Sequence, residues 1–200
     1  MRAFHIIGKV DTVKITNYLV DLQKLTGVSF QYEDRTYGGW ALQSSNGKIS
    51  DGWKANFRTN NDIRYFEPMN LDVFNQFTPA CFGYIKEILL TLIEQGFKVR
   101  RARIMMSPEK TITSLHQDAP SNFYAFRLNL ALNHCPNSYW IYDQNQKFSI
   151  QFDGSLYMID VSKPHKVITD DTHQRYVLVA DIWDLANKTP FPYLNQPTNL

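Results

Sequence analysis

Apolar positions recur at three- and four-residue intervals in two stretches of this chain and alternate, or run together briefly, in many others. Over residues 12–25, Val13, Ile15, Leu19, Leu22 and Leu25 follow helical spacing, and Gly27 supplies a stop. Over 79–96 the pattern returns, with Pro79 near the start and Gly96 at the C-terminal end, as in a capped helix. Beyond Gly96 the runs shorten and become rich in β-branched and aromatic residues, at 99–106, 111–115, 123–132, 139–142, 147–152, 156–160 and 174–183. Turn signals such as Pro136-Asn137 and Asp153-Gly154 separate them. The pattern predicts two amphipathic helices followed by a β half, a sandwich or jelly roll of two facing sheets with the helices against one of them.

The segment between the helices, with Tyr37-Gly38-Gly39-Trp40, Asp51-Gly52-Trp53 and Thr59-Asn60-Asn61-Asp62, reads as loops and short strands. At the N-terminus a short apolar patch is interrupted by His5, Lys9 and Asp11 and lacks a leader's cleavage pattern. One domain is expected: a helix- and lid-bearing part over 1–98, a jelly-roll core over 99–184, and an irregular tail over 185–200.

Composition narrows the partners. The 21 Lys and Arg against 19 Asp and Glu give +2, with no block of like charge to lie along phosphates, so nucleic acid is not expected. The apolar stretch 82–97 carries Lys86, Glu87 and Glu94 and is shorter than the ~20 residues of a membrane span. A cytoplasmic protein without a membrane partner is the expectation. Cys81 and Cys135, far apart and outside any CxxC pattern, read as reduced core thiols.

His116-Gln117-Asp118 stands where the run 111–115 gives way to a loop. In extended chain, residues i and i+2 share a face, so His116 and Asp118 can enter one cavity. His165, after Pro164 and opening another strand, offers a third ligand. Two imidazoles and one carboxylate make the facial set that leaves open positions on ferrous iron. Each piece alone is more often a surface turn or a hydrogen-bonded histidine; their joint presence carries the reading. Arg175 opens the last long strand, and a guanidinium turned into a β-barrel needs an anion such as a dicarboxylic cosubstrate. Arg127 shares a strand face with Ala125, Asn129 and Ala131, as a strand lining a cavity would, although solvent exposure fits that alternation equally.

The succession SLHQD, FRLNLAL, a glycine turn, LYMIDVSKPHKV and QRYVLVADIW resembles the aspartyl/asparaginyl β-hydroxylase and cis-proline hydroxylase superfamily of 2-oxoglutarate oxygenases, and most of all its small bacterial proline hydroxylases. The likeness is strong over 99–183 and faint before. It implies a mainly β, cupin-like double-stranded β-helix with Fe(II), 2-oxoglutarate and O2. By the same resemblance His116, Asp118 and His165 hold iron, Arg175 holds a cosubstrate carboxylate, and Arg127 faces cosubstrate or substrate. Some members lack the metal-binding carboxylate; this chain keeps Asp118, which favours the proline hydroxylase branch and argues against halogenation.

For the substrate, Tyr32, Arg35, Tyr37, Trp40, Trp53, Phe57 and Arg58 offer a lid with cations and apolar walls, and Arg103 is a further candidate for a carboxylate contact. Each of these could equally be packing or surface. The leading expectation is hydroxylation of a free, proline-like amino acid. The alternatives are β-hydroxylation of Asp or Asn in a peptide or protein, and a non-enzymatic jelly-roll protein that binds metal or a small ligand.

Overall fold

The computed structural model describes residues 4–25, 30–31, 38–51, 73–118, 126–142, 146–183 and 198–199. Strand β1 (Phe4–Lys9) leads into helix α1 (Thr12–Lys24), whose first turn is capped by the Asp11 carboxylate accepting from the Val13 and Lys14 amides at 2.8 and 3.2 Å. The buried stripe of α1 is Ile15, Tyr18, Leu19 and Leu22. Val13, expected on that stripe, is 68% exposed; Tyr18 takes part of it because its hydroxyl donates to the Ala80 carbonyl at 2.9 Å. Short strands β2 (Phe30–Gln31), β3 (Gly38–Ala41) and β4 (Gln43–Ser44), a 3-10 turn at Ile49–Asp51, and β5 (Gln76–Phe77) follow.

Helix α2 (Gly83–Glu94) starts four residues after Pro79, because Thr78 first folds a turn in which Cys81 N–H donates to its carbonyl. It buries Ile85, Ile88, Leu89 and Leu92 and ends on Gly96 at φ +92°, the left-handed position that glycine fills. Next come β6 (Lys98–Ser107), β7 (Thr111–Ile112), β8 (Phe126–Ala131), β9 (Ser138–Tyr142), β10 (Lys147–Phe148), β11 (Ser155–Asp160), β12 (His165–Thr169), β13 (Arg175–Trp183) and β14 (Thr198–Asn199). Every run predicted after Gly96 holds a strand, and Asp153-Gly154 is a turn. Gly154, at φ +82°, lies so close to the Val10 carbonyl oxygen that a Cβ would stand 2.1 Å from it.

One sheet orders its strands β14-β1-β11-β8-β13-β6-β3-β2, a second β10-β9-β12-β7, and a small third pairs β4 with β5. The described pairings are antiparallel except β14 beside β1. The result is the expected mainly β double-stranded β-helix. β1, foreseen only as an apolar patch, joins the large sheet by pairing with β11 at the far end of the chain.

Alternation sorts the large sheet's side chains. Ile104, Leu128, Leu130, Met158, Tyr176 and Leu178 pack with both helices in the main core. Tyr157, Ile159 and Ala131 face the other way and pack with Trp140, Tyr142 and Val161. The helices therefore buttress one sheet, as predicted, and the space between the sheets is left for the site. Both cysteines are buried free thiols, and burial pushes Cys81 up to about 12. Among the described residues no helix is long and apolar enough to cross a membrane.

Candidate metal and cosubstrate site

His116 and His165 meet through the backbone. Each donates its N–H to the other's carbonyl, at 2.9 and 2.8 Å, as one antiparallel pair beyond the end of β7. Residues paired this way project to the same side. Their rings lie 4.5 Å apart, centroid to centroid. Asp118 comes in from the following turn, its amide donating to the Val161 carbonyl at 3.2 Å. Its Oδ2 stands 3.2 Å from His165 Nε2 and 3.9 Å from His116 Nε2. One ligand atom from each of the three lies within 4.8 Å of the others.

The hydrogen bonds on the far side of each ring decide what the near side offers. His116 Nδ1 is 2.8 Å from the Ser114 carbonyl and His165 Nδ1 is 2.8 Å from the Lys163 carbonyl. A carbonyl only accepts, so Nδ1 carries the proton and a neutral ring turns a lone pair on Nε2 toward Asp118. His165 Nε2 is buried with no hydrogen-bond partner. A bare nitrogen lone pair against a carboxylate oxygen at 3.2 Å is repulsive unless a cation, either a proton on Nε2 or a metal ion, lies between them. Ligands at about 2.1 Å on neighbouring octahedral corners stand about 3.0 Å apart; the His165–Asp118 spacing of 3.2 Å matches this, and the 3.9 Å from His116 to Asp118 is wider.

Electrostatics keep the carboxylate ready. Burial by itself would raise the Asp118 carboxyl, but the Arg127 guanidinium beside it holds it well below the usual carboxylate range. Arg127 Nη1 donates to Asp118 Oδ2 at 2.7 Å, and its Nε donates to Asp181 Oδ1 at 3.1 Å. Trp140 stacks on His165 at 4.8 Å and 27°, forming a dry aromatic wall.

The ligand set opens into a cleft of about 110 Å³ lined by Arg103, Met105 and Ser107 of β6, Arg127 and Asn129 of β8, Arg175 and Val179 of β13, and Trp140 and Val167 from the smaller sheet. Thus His116, Asp118, His165, Arg127, Arg175 and Arg103 all come together. Arg175 is 8% exposed at the start of β13. Arg103 is 4% exposed, with Nη1 donating to the Arg101 carbonyl at 2.9 Å. Trp40, expected among the substrate contacts, does not line the cleft. In β3 it pairs in register with Ile104, on the helix side of the sheet, and packs 6.3 Å from Tyr176 in the main core, away from the cleft. Its side of the strand follows from register, which its neighbouring glycines concealed. Arg35, with Tyr32, Tyr37, Trp53, Phe57 and Arg58, lies outside the described residues.

Two charged residues escaped the sequence reading. Asp181, 0% exposed, shares the cleft face of β13 with Arg175; Arg101 donates from Nε to Asp181 Oδ2 at 2.5 Å. An acidic side chain on the face already marked by Arg175 was a legible signal. Arg101 was not legible, because it sits at φ +52° in a bulge where β6 spends one residue more than β13 between paired positions.

The fold and site define a jelly-roll protein whose two histidines and one carboxylate are arranged to hold a divalent metal beside an arginine-lined cleft. The chain belongs to the aspartyl/asparaginyl beta-hydroxylase family, whose model matches residues 33–184. It is accordingly a 2-oxoglutarate-dependent oxygenase, with Fe(II), 2-oxoglutarate and O2 as cofactor and cosubstrates. No curated protein matches it. Among solved structures it is similar to a prolyl hydroxylase from Trichoplax adhaerens in complex with a hypoxia inducible factor peptide, at 13% identity, 91% of this chain, 84% of that one and TM-score 0.54. It is also similar to a Pseudomonas putida prolyl-4-hydroxylase, at 10% identity, 91% and 92% coverage and TM-score 0.51. A 2OG-Fe(II) oxygenase family oxidoreductase from Burkholderia pseudomallei matches at 13% identity, 84% and 76% coverage and TM-score 0.51. At such identities the likeness is one of fold.

Proposed function

We propose that this oxygenase hydroxylates an unactivated C–H of a free, proline-like amino acid, with His116, Asp118 and His165 as the iron ligands and Arg175 as the anchor of 2-oxoglutarate. The observation that carries the ligand assignment is the His165 Nε2 lone pair facing Asp118 Oδ2 at 3.2 Å while both rings commit Nδ1 to carbonyls. When bound, iron with 2-oxoglutarate and O2 supplies the oxidation, in which R–H, 2-oxoglutarate and O2 become R–OH, succinate and CO2.

The chain's own groups supply aim and seclusion. The Ser114 and Lys163 carbonyls fix the tautomers of the two histidines, and Arg127 keeps Asp118 ionised. The Arg175 fork suits the far carboxylate of the diacid, which it can grip with two parallel hydrogen bonds. Arg103, buried on β6 in the same sheet as Arg175, suits a substrate carboxylate. Trp140, Val167 and Met105 give the cleft an apolar wall. A cleft of about 110 Å³ floored by guanidinium groups favours a small anion-bearing substrate.

A second reading, Asp or Asn hydroxylation in a peptide, draws on a different observation. Ile112 and Leu115, close in sequence to His116, are 65% and 61% exposed, as residues covered by a peptide would be before it binds. The test is succinate formation by the iron-loaded protein over a panel of free amino acids and of Asp- and Asn-containing peptides. Stimulation by proline or a related amino acid, with KM for 2-oxoglutarate raised at least tenfold in Arg175→Met, is the expected result. Stimulation by peptides alone would replace the first reading with the second.

A further inference from the structure

The carboxylate of the metal set is the least anchored of the three ligands. His116 and His165 are locked by reciprocal backbone bonds and by their carbonyl partners, whereas Asp118 lies in a turn, outside any strand. A ligand has to be held within about 0.5 Å of its working position, so its neighbours must supply the aim. Arg127 Nη1, at 2.7 Å from Asp118 Oδ2, is placed to do so. An arginine on four rotatable bonds holds nothing unless it is itself held.

The hold on Arg127 is at its other edge. Asp181 is its register partner across β8 and β13, and Asp181 Oδ1 accepts from Arg127 Nε at 3.1 Å. The guanidinium is planar and rigid, so fixing Nε and its plane also fixes Nη1. Asp181 is immobile in turn: it is 0% exposed, sits between β8 and β6, and takes Arg101 Nε on its second oxygen, with Arg103 Nη1 at 3.9 Å. The bulge in β6 that places Arg101 at φ +52° is what brings that side chain to Asp181.

We infer that Asp181 is a positioning residue for the metal site: acting through the Arg127 guanidinium, it fixes where Asp118 points. The inference rests on the reading of His116, Asp118 and His165 as metal ligands. A purely structural role, neutralising three buried arginines, would alter the stability of the metal-free protein and leave the metal affinity of the folded protein unchanged.

The experiment is anaerobic titration of the full chain with Co(II), read by calorimetry and by the visible absorption of bound Co(II), which reports coordination geometry. Asp181→Asn should weaken binding roughly 10- to 100-fold and alter the absorption, as loss of a ligand's supporting partner does. Arg127→Lys keeps a charge near Asp118 but cannot span both carboxylates, so it should lose as much affinity as Arg127→Gln. Adding Asp181→Asn to Arg127→Lys should cause no further loss, since the two act in one chain. Should Asp181→Asn fail to fold, the comparison of Lys with Gln at position 127 decides alone. Wild-type affinity and spectrum in Asp181→Asn, or rescue by Arg127→Lys, would overturn the inference and leave the metal reading standing. Failure of the wild-type protein to bind Co(II), or binding indifferent to Asp118→Ala, would sink both.

Discussion

On the helix side of the large sheet, β8 presents Phe126, Leu128 and Leu130 and β13 presents Tyr176, Leu178, Ala180 and Ile182; on the cleft side the same two strands present Arg127, Asn129, Arg175 and Asp181. The first face stabilises by removing apolar area from water, at about 25 cal/mol per Å². The second holds charges that cost free energy to bury, tolerated because guanidinium and carboxylate groups meet at hydrogen-bonding distance. Apolar burial on one side of a strand thus supports an arrangement on the other that would not pack by itself. Stability and chemistry are divided between the two faces and should separate under mutation.

The largest expected effect tests that separation from the cleft side. Asp118→Asn keeps the shape of the side chain and removes its charge, and turnover per folded molecule, measured as succinate, should fall on the order of 1000-fold, about 4 kcal/mol of barrier, while unpairing Arg127 lowers the urea midpoint only modestly. A collapse of stability alongside activity would show that the two faces are not independent.

From the helix side, Leu89→Ala in α2 empties a fully buried position. It should cost about 2–5 kcal/mol in urea unfolding and leave kcat per folded molecule unchanged. A shift in kcat would mean that helix packing reaches the cleft.

Acid should act on the charged face. Burial by itself would raise the Asp181 carboxyl, but Arg101, Arg127 and Arg103 hold it below its ordinary value, and Asp118 is lowered likewise. A carboxyl depressed on folding contributes stability that is present above its unfolded pKa of ~3.9 and is lost as pH falls through the folded value. Below about pH 4 each such group should therefore steepen the loss of unfolding free energy by about 1.4 kcal/mol per pH unit. Removing the Asp181 carboxyl, as in Asp181→Asn, should flatten that slope by one group; an unchanged slope would mean that Asp181 does not titrate with folding.

The smallest effect belongs to neither face. Val13→Thr on the exposed side of α1 should move stability by no more than about 0.5 kcal/mol and turnover not at all, measured in the same two assays.

Much of this arrangement could be read along the chain, because side-chain period is a local property. A 3.6-residue stripe announced both helices, and alternation put Arg127 and Asn129 on one face and Leu128 and Leu130 on the other before any partner strand was known. The types and spacing of His116, Asp118, His165 and Arg175 pointed to one cavity, and all four line it. Tertiary structure alone decided which strands touch and in what register: that His116 and His165 exchange backbone bonds, that Trp40 falls beside Ile104 on the core side, and that β1 docks on β11. It also set the bulge that turns Arg101 toward Asp181 and so links the sheet's interior to Asp118 through Arg127. Register and bulges are fixed by packing between segments distant in sequence, and no periodicity within one segment encodes them.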